Sequence, residues 1–149
     1  MTDISTAYNA FVTRMGTLFP SHHRLTNPFD LIQNNEQILT LGWGILPGPA
    51  VNTERSVSKI STVSREFTFH LTRRVYAREQ DSVKKDDSYK ALLEDLQILI
   101  DDLERDFTTT TTDYVIKYLS DTGIVPVHTD KELFIGVSSL VSLEYFRNL

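Results

Sequence analysis

The residues most able to do chemistry in this chain are its four histidines, because an imidazole can act as an acid, a base or a metal ligand. His22 and His23 are adjacent, and no third ligand follows them at the spacing of a known metal site. His70 lies on the polar side of an alternating segment, and His128 stands in a turn-forming sequence before Asp130. A dyad built on either would need a nucleophile and an acid that only the tertiary fold can supply. The histidines therefore predict neither a catalytic site nor a metal site.

A group of carboxylates is the second candidate, at Asp101, Asp102, Glu104 and Asp106. Their setting is helical, and successive residues of a helix point about 100° apart, so Asp101 and Asp102 do not converge on one ion. A solvated acidic face is the simpler interpretation. We therefore expect no bound metal.

Three glycines surround the single tryptophan, in Gly42-Trp43-Gly44 and at Gly48. Their spacing matches neither the dinucleotide-binding fingerprint nor a P-loop, and no helical pattern follows them to present an N-terminus to a phosphate. Glycine within a strand is typical of a bulge, a tight turn or the close approach of another backbone. The sequence predicts a feature of this kind, and no cofactor.

Composition narrows the class of protein. The chain has 149 residues, no cysteine and a formal net charge of −5. The lack of cysteine excludes disulfides, thiolate catalysis and Cys-type metal centres, and it is compatible with the cytoplasm. A negative chain with one short basic cluster is unlike a general nucleic-acid binder. The first residues show no signal-peptide pattern, and no apolar run approaches the ~20 residues that cross a bilayer.

The clearest strand pattern covers residues 63–78. Phe67, Phe69 and Leu71 fall on one side of this segment, and polar residues fall on the other. Such alternation predicts a half-buried strand.

The clearest helical pattern runs from Tyr89 to Phe107 and predicts an amphipathic helix of about five turns, capped by Asp87 or Ser88. Asp95 is assigned to the polar side of this helix, so we expect its replacement by alanine to change stability little. The predicted core residues of the helix are Leu92, Leu93, Leu96, Leu99, Ile100 and Leu103, with Tyr89 at the start of the same stripe.

Shorter patterns give the remaining elements. They predict a helix over 2–19, a strand over 36–46, a long loop or hairpin arm around 47–62, closing strands over 114–119 and 133–146, and irregular connections at 20–35, 121–123 and 128–130. The order is α-β-β-α-β-β. It predicts one α+β domain over residues 1–149, with two principal helices packed on one face of a mainly antiparallel sheet.

Charge is segregated between neighbouring elements. Arg73, Arg74 and Arg78 lie on or after the long strand, whereas acidic residues that include Asp101 and Asp102 crowd the main helix. Within a single subunit, such segregated surface charges stabilise the fold little. Around a ring of subunits, they would orient head-to-tail contacts between copies. We therefore predict a subunit interface that pairs these arginines with the acidic helix of a neighbour. A solvated surface is the alternative.

The layout as a whole resembles the tail terminator, or tail completion, proteins of long-tailed bacteriophages. The resemblance rests on the element order, the arm before the long strand, the charged loop ahead of the main helix, and a closing strand that contains Glu132-Leu-Phe-Ile-Gly-Val137 and Leu143-Glu-Tyr-Phe146. It covers most of the chain as a matter of layout, because this family has no short diagnostic motif.

The resemblance implies a non-enzymatic virion protein, made in the host cytoplasm, that forms a homohexameric ring at the head-proximal end of the tail tube. Such a ring stops tube polymerisation, docks to the head–tail connector, and lets DNA pass without specific binding. The implied partners are further copies of the chain, the tail tube protein and the connector, with no cofactor and no membrane.

Two alternatives remain open. The nearer one is another ring component of a phage neck or tail, such as a head-completion adaptor. The more distant one is a small cytoplasmic enzyme or ligand-binding domain that uses His70, His128 and the Trp43 region around a pocket.

Overall fold

The computed structural model of the protein describes residues 4–25, 41–55, 60–75, 82–107, 114–128 and 133–148. In chain order their elements are α1 (Ile4–Leu18), β1 (His23–Leu25), β2 (Leu41–Arg55), β3 (Ile60–Val75), α2 (Ser82–Asp101), a π-helical turn (Asp102–Phe107), β4 (Tyr114–Asp121), β5 (Val125–His128) and β6 (Leu133–Asn148). Within these residues, no helix is both long and apolar enough to cross a membrane.

The strands form one sheet in the order β1-β2-β3-β6-β4, with β5 also paired to β6. β1 runs parallel to β2, and the other pairs are antiparallel. The central pair is β3 and β6, whose register runs without a shift from Ile60↔Asn148 to Val75↔Leu133. Two helices and a mostly antiparallel sheet confirm the predicted α+β fold class.

β2 and β3 form a long hairpin. The segment predicted as a loop or hairpin arm, 47–62, therefore belongs largely to two paired strands, and residues 56–59 lie outside the described part. The predicted strand over 63–78 corresponds to β3, which begins earlier, at Ile60, and is described as far as Val75. Of the predicted strand over 36–46, only the part from Leu41 is described.

The hairpin contains a register shift near Gly48, between Pro47 and Ala50. A Cβ atom at Gly48 would lie 3.0 Å from the carbonyl oxygen of Glu66, and the Arg65 guanidinium donates to the Gly48 carbonyl at 2.9 Å. The close approach of two backbones that the glycines predicted is therefore found at Gly48.

β4 and β5 are two parts of one interrupted strand along the outer side of β6. The interruption falls at Thr122, whose amide donates to the Ser138 carbonyl at 3.0 Å, and at Gly123, whose φ is 69°. The sequence predicted a turn here and missed β5, because Gly123 and Pro126 are turn signals that in this chain mark an irregular edge strand. The short strand β1 was missed as well, inside a segment predicted as irregular.

The two helices pack on one face of the sheet. In α1, Phe11 contacts Phe67 and Phe69 edge-on, with ring centroids 5.1 and 5.4 Å apart. α1 matches the predicted first helix closely. α2 begins at Ser82, so the predicted capping residues Asp87 and Ser88 lie inside the helix rather than at its start.

The buried side of α2 differs from the prediction. Leu93 is 51% exposed and Tyr89 is 40% exposed, so their assignment to the buried stripe is wrong, whereas Asp95 is only 7% exposed, so its assignment to the solvent side is wrong. The buried positions follow helical spacing from Leu92, and aspartates with hydrogen-bond partners can occupy such positions. They are Ser88, Leu92, Asp95, Leu96 and Leu99 in α2, followed by Asp102 and Leu103 in the π-helical turn.

Candidate functional site

One face of the sheet carries no helix from the described residues, and we call it the open face. Side chains alternate along each strand, so the positions next to Phe67 and Phe69 in β3, such as Glu66, point to this face. A groove of about 340 Å³ lies on it. The groove runs between polar residues of β3 and β6 and the side chains of Val115, Lys117 and Leu119 in β4.

The outermost strand of the open face exposes a row of apolar side chains. Val115 and Leu119 in β4 are 53% and 49% exposed, and Val125 in β5 is exposed too. Lys117 lies between Val115 and Leu119 on the same face. We call these four residues the edge row.

A second set of exposed apolar residues lies on the outer surface of α2, on the other side of the sheet. Leu93 and Ile98 flank the acidic residues Glu94 and Asp101 around the helix, and Tyr89 precedes them by one turn. We call these five residues the helix patch. Apart from Leu46, every large apolar side chain that is exposed, among those whose burial the structure describes, belongs to the edge row or to the helix patch.

A cluster of charged and polar groups lies between α2 and the sheet. Arg73 Nη2 donates to Asp95 Oδ2 at 2.9 Å, and His22 Nε2 lies 3.1 Å from the same oxygen. Since a carboxylate only accepts, Nε2 of His22 carries the hydrogen. The His22 ring also contacts Phe19, with ring centroids 4.8 Å apart. Asp95 thereby ties α2 to β3 and to the segment after α1.

The Asp95 carboxyl group is held in its charged form. Burial raises its pKa, but hydrogen bonds from His22 and Arg73, together with the charge of Arg73, outweigh burial and hold the pKa of Asp95 below its ordinary value. The cluster is therefore a structural ion pair inside one chain.

A second ion pair joins α1 to the π-helical turn that continues α2. Arg14 in α1 donates through Nε to both carboxylate oxygens of Asp102, at 3.0 and 2.9 Å, and its Nη2 also contacts Oδ1. Asp102 is 3% exposed. Several hydrogen bonds thus connect one guanidinium group to one carboxylate group, and they hold α1 against the end of α2.

The residues predicted to form a subunit interface lie in different surroundings. Arg73 and Asp102 have partners within the chain, and Asp101 is half-buried and accepts a hydrogen bond from Gln97 at 2.9 Å. Arg74 is half-buried on the open face, opposite to Arg73, and Arg78 lies outside the described residues. A neighbouring chain would have to displace Asp95 to bind Arg73, or Arg14 to bind Asp102. The role of these five residues between subunits stays a prediction.

The fold brings His70 next to a hydroxyl group on the open face. His70 Nδ1 lies 2.7 Å from Ser138 Oγ, and the two residues are direct cross-strand partners in β3 and β6. Burial lowers the pKa of His70, which favours neutral imidazole at pH 7. A serine hydroxyl beside a neutral imidazole is the beginning of a nucleophilic site.

The rest of such a site is not found around this pair. Among the residues that the structure describes, no carboxylate binds the second nitrogen of His70. The Ser138 amide, which could have stabilised an oxyanion, donates to Thr122 Oγ1 at 3.1 Å. The pair therefore reads as a cross-strand hydrogen bond that satisfies two half-buried side chains.

We accordingly expect Ser138 to be chemically unreactive. A fluorophosphonate probe, which labels activated serines, should leave the protein unmodified when the intact mass is measured, because no described residue supports the hydroxyl as an orienting acid or as an oxyanion donor. Labelling at Ser138 that disappears in the His70→Gln variant would contradict this expectation and would identify an acyl-transfer site.

The other residues considered for chemistry do not converge. His23 is exposed in β1, the side chain of His128 lies outside the described residues, and Trp43 is buried in the core, where it cannot line an open pocket. In the acidic group, Asp102 points inward to Arg14 while Glu104 is exposed. The described part of the chain contains no group of three or more His, Asp or Glu side chains placed to hold a metal ion.

Sequence reasoning did not single out the edge row. A signal was present, because residues 115–119 are apolar on both sides of the strand except at Lys117, whereas a strand with one solvated face normally alternates. In comparisons with known proteins, the sequence matches no family model and no curated protein.

Proposed function

We propose that this protein is a tail terminator of a long-tailed bacteriophage. It forms a homohexameric ring at the head-proximal end of the tail tube, stops tube polymerisation and docks to the head–tail connector. The protein is not an enzyme, and it resides in the virion after synthesis in the host cytoplasm. The layout of the sequence supports this proposal, and so does the α+β fold, which agrees with the layout.

The observation that carries the proposal is the position of the two exposed apolar surfaces. The edge row and the helix patch lie on opposite sides of the sheet. Exposed apolar side chains that share one surface support a role in protein association. Because the two surfaces face in opposite directions, two copies can use them head to tail, and a head-to-tail contact that closes gives a ring. An enzyme would instead need catalytic groups on the open face, and among the described residues the His70–Ser138 pair has neither an orienting acid nor a free oxyanion donor.

The charge of the chain agrees with a passage for DNA rather than a binding site. With a net charge of −5, the protein does not attract the phosphate backbone, so DNA could move through the ring without being held. The proposed partners are other copies of the chain, the tail tube protein and the connector, without a cofactor or a membrane.

A head-completion adaptor would share the ring, so the place of attachment must distinguish the two roles. In a phage that encodes this chain, inactivation of its reading frame should give tubes longer than those of the parent phage and not joined to heads, because nothing ends their growth. Electron microscopy of the lysate measures both features.

The adaptor gives a different result in the same experiment. Tails of normal length beside heads that have lost their DNA would show that the protein completes the head, and the terminator proposal would then be wrong. Infectious particles of normal form would contradict both structural roles.

A further inference from the structure

We propose that the edge row of one copy docks on the helix patch of a second copy. The proposal rests on the ring function and names the surfaces that join neighbouring subunits. Its occupant is a second copy of the chain, and the reasons are the pattern of the two surfaces, their charges and their directions.

Both surfaces have a charged centre between apolar side chains. In the edge row, Lys117 stands between Val115 and Leu119 along the strand. In the helix patch, Glu94 stands between Leu93 and Ile98 around the helix. Contact between the two would bury apolar surface on both copies and bring an ammonium group to a carboxylate.

The charged centres are available for such a contact. Within the described residues, no ion pair involves Lys117 or Glu94, and both are exposed. Arg73 and Asp102, two of the five residues of the predicted interface, are engaged inside the chain by Asp95 and Arg14. The proposed contact therefore keeps the acidic helix on one side, and on the other side it replaces the arginines of β3 by Lys117 of β4.

Two other carboxylates restrict where the helix can lie. Glu66 and Glu144 belong to β3 and β6 and line the inner side of the groove, whereas Lys117 belongs to the outermost strand. An acidic helix is repelled from the inner strands and attracted to β4. The docked helix therefore lies along the edge of the sheet, over Val115 and Leu119, rather than across its centre.

The directions of the surfaces decide the symmetry of the contact. In a two-fold dimer, the edge row of each copy would meet the helix patch of the other within a single interface, which requires both surfaces on the same side of the chain. In this fold they lie on opposite sides of the sheet. A head-to-tail contact instead pairs Lys117 with Glu94 at every junction. It leaves one edge row and one helix patch free until the assembly closes on itself.

Cross-linking between introduced cysteines tests this contact, because the chain has no cysteine of its own. Leu93→Cys and Val115→Cys proteins are prepared separately, mixed at high concentration and treated with a short bis-maleimide. We expect a cross-linked dimer from the mixture and none from either protein alone. Asn9→Cys, an exposed position on α1, replaces Leu93→Cys in the control mixture and should give no dimer.

The chain that carries both Leu93→Cys and Val115→Cys extends the test to assembled particles. Cross-linking should give a ladder of bands that ends at the number of subunits in the ring. Rings seen by microscopy without this ladder would overturn the proposed contact and leave the ring function intact. If neither the mixture nor the particles give a cross-link and no ring is seen, the contact and the ring function are both wrong.

A charge exchange supplies an independent measurement. Lys117→Glu should weaken association at least tenfold, measured by light scattering over a concentration series, and Glu94→Lys should weaken it similarly. The variant with both exchanges should recover most of the lost affinity, because it restores an ion pair in which the two charges have exchanged places. Losses that add in the double variant would show that these two residues do not meet.

Discussion

Replacement of Leu99 by alanine should lower the free energy of unfolding by about 2–5 kcal/mol. Leu99 lies on the buried side of α2, has no exposed surface and belongs to the core that includes Phe67 and Leu71. Removal of its side chain leaves a cavity that the long, regular β3–β6 pair cannot close easily. Chemical denaturation with linear extrapolation measures the change.

Leu93→Ala is the matched control, because it makes the same change in the same helix at a side chain that is half exposed. We expect a loss of less than about 1 kcal/mol in the isolated chain. The effect of Leu93→Ala should appear in association instead, since Leu93 belongs to the helix patch. Equal losses of stability at both positions would mean that α2 does not face the sheet as described.

The parts of the fold that follow from local pattern were predictable. The alternation around Phe67 and the apolar repeat of α2 identified the central strand and the main helix, because each pattern is long enough to exclude the other periodicity. The α+β class followed from the order of such elements. Their boundaries were less predictable. Polar residues at the start of α2 matched a loop by composition, yet the helix begins at Ser82.

The irregular edge was not predictable for a related reason. Glycine and proline, as at Gly123 and Pro126, end strands in most sequences. The neighbouring residues do not show that β4 and β5, on the two sides of this interruption, will both pair with β6. The backbone bond from Thr122 to Ser138 joins positions on different strands and becomes visible only in the folded chain. β5 was missed on this account.

The charged surfaces, too, have one property that the sequence predicts and another that only the fold determines. Charge segregation between strand and helix is a property of the sequence, but the choice of partners is a property of the fold. Asp102 could be placed against Arg14, 88 residues earlier, only after α1 and α2 had been packed together. For this reason the sequence indicated regions that carry complementary charge and could not decide which members are engaged inside one chain.

Asp95 shows the difference most clearly, and its replacement by alanine should lower the free energy of unfolding by about 2–4 kcal/mol. Removal of one member of a buried ion pair costs about 3–5 kcal/mol, because the other member stays buried without a partner. We place the expected loss lower because Arg73 keeps about a quarter of its side chain in contact with water, at 27% exposure, and can be partly solvated. The His22 side chain is more deeply buried, so water cannot solvate it in this way.

Glu94→Ala is the control for this prediction, since Glu94 is the neighbouring acidic residue on the exposed side of the same helix. It should change the stability of the isolated chain by no more than about 0.5 kcal/mol. If Asp95→Ala is as harmless as Glu94→Ala, the cluster with His22 and Arg73 does not form in solution.

The dependence on pH separates the charge of Asp95 from the space that its side chain fills. Because the folded chain holds the pKa of Asp95 below its ordinary value, the ion pair contributes stability above the unfolded aspartate pKa of about 3.9, and this contribution is lost as the pH falls through the folded pKa. Asp95→Asn keeps the size of the side chain and removes the charge. The parent protein should therefore exceed Asp95→Asn in stability near neutral pH, and the difference should shrink as the pH is lowered below about 4. A difference that stays constant down to about pH 3 would mean that Asp95 acts through packing and neutral hydrogen bonds, and not through its charge.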